Sequence, residues 1–119
     1  MTIEKASATD QAEIFVLYRS LIGQPGCTWC EEYPDEEIVA EDLHSGSLYC
    51  ARENGSIVGA VSIEWRDEEV ERFDCWSKEN EPAAYLSRVA MCAYRALAFD
   101  FSGEADAFGQ HWLCYEKRL

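Results

Sequence analysis

Apolar residues fall at Ile14, Leu17, Tyr18, Leu21 and Ile22. That spacing of i, i+3, i+4, i+7 and i+8 gives an α-helix one apolar stripe and turns it toward a core. Thr9-Asp10 predicts the cap of this helix, with Glu13 as the reciprocal half of a capping box, and Gly23 predicts its end. A short strand is predicted ahead of it at 2–6. A loop with Pro and Gly follows at 24–34. Asp35 then predicts the cap of a second, shorter helix in which Ile38, Val39 and Leu43 face inward. Gly46 sits where a left-handed C-cap belongs.

Ser47-Leu48-Tyr49-Cys50-Ala51-Arg52-Glu53 reads as a strand. Asn54-Gly55 after it is a hairpin signal, since both residues tolerate the positive φ of a type I′ turn. The partner strand is 56–65, and Gly59 within it marks a bulge or a close backbone approach. Residues 66–82 are acidic, carry Phe73 and Trp76, and show no clear period: a lobe or an unrecognised element. Residues 84–91 read as a third long strand, although Leu86, Val89, Ala90, Ala93 and Leu97 also fit a helix. There are no internal repeats or low-complexity tracts.

Composition narrows the function classes. The 119 residues suffice for one compact domain. No run approaches the roughly 20 apolar residues of a membrane span. The N-terminus lacks the basic-then-apolar layout of a secretory signal, so a cytoplasmic protein is expected. A formal charge of −13 argues against nucleic-acid binding, which needs clustered Lys and Arg. The acidic residues cluster at 31–42 and 67–71. They read as a solvated surface, or as a field that draws in amines and polyamines.

The six cysteines are scattered without framework spacing, so they are expected to be reduced and mostly buried. Cys27-Thr28-Trp29-Cys30 is a C-x-x-C in a loop between helices. A redox role would call for a strand-to-helix junction, and a zinc site for a second cysteine pair, so an incidental pair is expected and no metal. His44 and His111 have no visible nucleophile partner and read as structural.

Several segments in order resemble the acetyl-CoA-dependent acyltransferases of the GNAT superfamily. They are Ile3–Lys5, Thr9-Asp10 with its amphipathic helix, Leu48-Tyr49-Cys50-Ala51, Asn54-Gly55, Ile57-Val58-Gly59-Ala60-Val61 and Tyr85-Leu86-Ser87-Arg88-Val89-Ala90-Met91. The resemblance covers about three-quarters of the chain, in order and spacing. It implies an α/β fold of the α+β type: a partial GNAT-like domain over 1–119, with a mixed, mainly antiparallel sheet flanked by helices and an atypical part at 92–119. It also implies acetyl-CoA as cofactor, held by Val89, Ala90, Met91 and Arg95, and transfer of its acetyl group to a small amine. Glu64 would serve as general base and Tyr115 as general acid. Trp29, Glu31, Glu32 and Tyr33 would border the acceptor pocket.

The family's pyrophosphate loop has the pattern Q/R-x-x-G-x-G/A, and here it reads Arg95-Ala96-Leu97-Ala98-Phe99-Asp100. Glycine lets backbone amides approach a phosphate closely; alanine and aspartate at those positions weaken that grip. Losing two amide–phosphate bonds, each worth about 1.5–3 kcal/mol, costs about a hundredfold to ten-thousandfold in affinity. A non-catalytic acidic dimerisation or binding module on the same scaffold is therefore the alternative function, and a C-x-x-C metal or thiol protein a third.

The tail has competing readings. In one, the cofactor helix is deleted, 95–101 is the fifth strand, and 105–119 is a helix with Ala105, Phe108, Trp112, Tyr115 and Leu119 on one face. In another, the tail is an out-of-frame read-through; simple divergence is the third. The resemblance implies about 40 further residues in a full family member. The exposed edge of the strand at 84–91 would then favour a homodimer.

Overall fold

Residues 1–25, 27–65, 68–77, 83–90 and 100–117 are described by the computed structural model. The chain divides into two units, Met1–Glu64 with Ala84–Met91, and Trp65–Ala83 with Cys92–Leu119.

In the first unit an antiparallel sheet runs in the order β1 (Thr2–Lys5), β2 (Leu48–Glu53), β3 (Ser56–Glu64), β4 (Tyr85–Ser87). Asn54 and Gly55 take φ of 51° and 82° and close the β2–β3 hairpin as the type I′ signal predicts. The register steps from Ala51↔Gly59 to Arg52↔Ile57, so Val58 is the extra residue of a bulge beside Gly59. The Ile57 amide there donates to Glu13 at 2.7 Å.

Two helices, α1 (Gln11–Leu21) and α2 (Glu36–Ser45), pack on β3 and β2 respectively and against each other. The predicted stripe of α1 faces the core: Ile14 and Tyr18 are fully buried, with Leu17 and Leu21 packed beside them. Val39 of α2, Leu48 and Cys50 of β2, Ile57 and Ala60 of β3, and Ala90 join that core. Each large apolar side chain buried here contributes about 1.5–3 kcal/mol. Asp35 accepts from the Ile38 amide at 2.9 Å, and Gly46 takes φ 73° at the C-cap, both as predicted.

The start of α1 departs from expectation. A 3-10 turn at Ala8–Asp10 precedes it, and the Ser7 amide donates to the Asp10 carboxylate at 2.8 Å. The capping box therefore lies between Ser7 and Asp10. Glu13 is committed to β3 instead.

The second unit also corrects the sequence reading. The segment that one reading of the tail makes a helix at 105–119 is instead, over its described residues, part of a strand hairpin, β5 (Asp100–Ala107) with β6 (Gln110–Glu116). Phe108 and Gly109, at φ 54° and 71°, form its two-residue turn. Phenylalanine rarely enters that region, so only Gly109 signals the turn in the sequence. The exposed Glu104 and Asp106 alternate with the half-buried Ala105 and Ala107, a period of two. The strand expected at 95–101 begins at Asp100; the start of that segment lies outside the described residues.

The acidic connection contains an element of its own, the single turn α3 (Glu68–Glu71). Trp76 donates from its indole N–H to the Val70 carbonyl at 2.8 Å and stacks on Phe73. Among the described residues no helix is long and apolar enough to cross a membrane.

Candidate functional site

The strand expected over 84–91 keeps its ladder with β3 only to Ser87. Ser62 pairs with Ser87, yet the Ala90 amide donates to the Ala60 carbonyl at 2.8 Å. Two steps along β3 are matched by three along the other chain, so one residue is extra there. Arg88 absorbs it with φ 49°. A left-handed arginine costs about 1–3 kcal/mol and persists only where its surroundings hold it.

What holds it is Asp42 of α2. Arg88 Nε and Nη2 donate to the two Asp42 carboxylate oxygens at 2.6 and 2.7 Å. Both side chains are largely buried, at 15% and 8% exposure. Burial works against the Arg88 charge, but the bonds to Asp42 and Tyr33 more than offset it, and its pKa is raised. Nη1 lies 3.5 Å from the Tyr33 hydroxyl, and Nη2 lies 3.8 Å from Glu64 Oε1. The fork of one guanidinium thus ties β4, α2, the loop before α2 and the end of β3 together.

Tyr18 lies against this cluster. Its hydroxyl is buried and meets no hydrogen-bond partner among the described residues. Burial, then the negative charge of Asp42, raises its pKa, so the phenol stays protonated. Trp29 packs on its ring at 5.0 Å between centroids. Ser87 Oγ, on the strand next to Arg88, is likewise buried and meets no hydrogen-bond partner among the described residues.

The expected site residues fall out as follows. Glu64, Tyr33 and Trp29 belong to the first unit and gather around Arg88 and Tyr18. Glu31 and Glu32 are exposed on the same loop; Glu31 lines a groove of about 490 Å³ with Arg19 and Ile22. Val89 is half-buried and Ala90 buried. Met91 and Arg95 lie outside the described residues. Tyr115 belongs to the second unit, on a strand rather than the expected helix, in edge contact with Phe101 at 5.6 Å.

Sequence reasoning missed the Asp42–Arg88 pair. Asp42 falls in the acidic cluster at 31–42 that reads as a solvated surface, and is instead buried. The available signal was its place three residues after Val39 and one before Leu43, on the apolar stripe of α2.

The cysteines are less buried than expected: Cys50 and Cys114 are buried, Cys27 and Cys75 half-buried, and Cys30 exposed. Cys92 lies outside the described residues. Among the described residues no group of three or more His, Cys, Asp or Glu is arranged to hold a metal ion. His111 bonds Asp106 at 2.8 Å, which first among its contacts raises its pKa.

No family model matches the sequence, and no curated protein matches it. Among solved structures, an acetyltransferase of the GNAT family from Streptococcus agalactiae superposes with a TM-score of 0.77. The match covers 96% of this chain and 92% of that one, at 18% sequence identity. The fold is therefore GNAT-like, with mixed helices and antiparallel strands.

Proposed function

We propose that this chain takes acetyl-CoA and transfers its acetyl group to a small amine. The observation that carries the reading is the likeness to an acetyltransferase fold across nearly the whole of both chains.

The strand edge supports it. The Ala90 amide serves β3, which puts this backbone on the open edge of the sheet beyond β4. An amide-bearing pantetheine arm adds there as a further strand. Val89, Ala90 and Met91 are the proposed contacts for that arm, and Arg95 for the diphosphate.

Acetyl-CoA supplies a thioester carbonyl carbon open to attack. Glu64 takes the proton of the attacking amine, directly or through a water. Arg88 Nη2, 3.8 Å from Oε1 of that carboxylate, pairs with it across the end of β3. Tyr115 returns a proton to the departing thiolate. Trp29, Glu31, Glu32 and Tyr33 shape the acceptor pocket, and the two glutamates favour a cation.

The proposal includes a cytoplasmic protein that forms a homodimer. A second reading, a non-catalytic acidic dimerisation or binding module, is favoured by Ala98 standing where a phosphate grip requires glycine and Asp100 where it takes glycine or alanine.

Acetyl-CoA is expected to raise the melting temperature, and polyamines or amino acids to release coenzyme A thiol. Glu64→Gln should cut turnover by about 10²–10⁴-fold and keep the melting shift. No shift with millimolar acetyl-CoA would sink the enzyme reading in favour of the second.

A further inference from the structure

The second unit brings together two cysteines distant in sequence. Cys114 on β6 is the register partner of Gly103, at the rung where the β5–β6 ladder shifts. Gly103 carries no side chain, and Cys75 occupies the space. A Cβ on Gly103 would lie 2.6 Å from the Cys75 Cβ and 3.4 Å from its Cα. Directly opposed residues of an antiparallel pair hold their Cβ atoms about 4.5–5.5 Å apart. Cys75 therefore stands across from Cys114 in the place of the missing Gly103 side chain. A disulfide joins Cβ atoms about 3.5–4.5 Å apart, a spacing near this one.

The two thiols differ in character. Cys114 is 5% exposed, whereas Cys75 is half-buried and meets solvent. Burial, then a hydrogen bond with Cys75, pushes the Cys114 thiol up to about 12. Cys114 thus keeps its proton, and Cys75 is the sulfur an oxidant reaches first.

We propose that Cys75 and Cys114 form a dithiol site that a hydroperoxide closes to a disulfide. The Cys75 thiolate attacks one peroxide oxygen; an S–O bond forms, the O–O bond breaks, and the released hydroxide (or alkoxide) takes a proton. Cys114 then gives up its proton and attacks the Cys75 sulfur. The S–S bond forms, the S–O bond breaks, and a second hydroxide leaves as water. Two thiols are oxidised and one peroxide is reduced. The closed bond ties the segment after α3 to β6. This site is independent of the acetyl-transfer reading.

The test uses the full chain, reduced, exposed to hydrogen peroxide, alkylated with N-ethylmaleimide and digested with trypsin. Cys75 then lies alone on the peptide 73–78 and Cys114 alone on 96–117. The expected product is these two peptides joined, separable by dithiothreitol, with loss of two of the six thiols. Gly103→Ala, whose new Cβ displaces Cys75, should slow closure, and Cys75→Ser should leave Cys114 open to alkylation. Recovery of both peptides alkylated while Cys27 and Cys30 oxidise would overturn the proposal. So would conversion of Cys75 to sulfinic acid without joining. The wild-type mapping decides the matter even if neither variant folds.

Discussion

Arg88 carries a positive φ and a charge that is mostly out of water, and both are tolerated because Asp42 takes two of its N–H groups. Removing one partner leaves the other as an unpaired buried charge. Arg88→Met should therefore cost about 3–5 kcal/mol, read as a lowered urea midpoint. Replacing both residues together, Asp42→Leu with Arg88→Met, should recover most of that loss.

Asp10 behaves differently because its consequence is pH dependence. The Ser7 amide, above all, holds its carboxyl below the usual 3.8, against burial, and the bonded Arg52 adds to the effect. The folded pKa is depressed, so the stabilisation is fully present above pH 3.8 and is lost as pH falls through the folded value. Urea midpoints measured downward from pH 5 should fall more steeply for the wild type than for Asp10→Asn. Equal slopes would show that the Ser7 and Arg52 contacts do not discriminate between the protonation states.

At the scale of elements, α2 is defined at both ends by single residues. Asp35→Ala removes the acceptor of the Ile38 amide and should cost about 1 kcal/mol, seen as a lower melting temperature without loss of cooperativity. The two hairpins show how unequal the sequence signals are. Asn54-Gly55 announces its turn because asparagine and glycine enter left-handed backbone at little cost. Phe108-Gly109 makes the same two-residue turn, but half its signal is missing, and Ala105, Phe108, Trp112 and Tyr115 happen to satisfy a helical spacing. The capping box slipped by three residues for a similar reason. Ser7 and Asp10 form as good a pair as Asp10 and Glu13, and only the approach of β3 decides that Glu13 is spoken for.

At the scale of the whole molecule, a net charge of −13 over 119 residues makes self-repulsion a general cost of compactness. Raising the ionic strength shortens the range of that repulsion, so moderate salt should raise the melting temperature. A fall with salt would mean that pairs such as Arg52 with Glu4 outweigh the surplus charge. The edge strand β4 is three residues long and followed by a bulge, a geometry that blunts strand-to-strand addition. The homodimer proposed here would accordingly draw on surface beyond that short ladder.

The chain by itself determined α1, α2 and the β2–β3 hairpin, because periodicity, caps and a type I′ turn are short-range properties. Each is decided within a few residues of backbone and needs no distant partner. The pairing of Asp42 with Arg88, the use of Glu13 by Ile57 and the meeting of Cys75 with Gly103 and Cys114 were decided only by the tertiary structure. In each, the deciding bond or contact joins residues that sequence spacing leaves apart. Burial and long-range closure choose there among local alternatives of nearly equal energy.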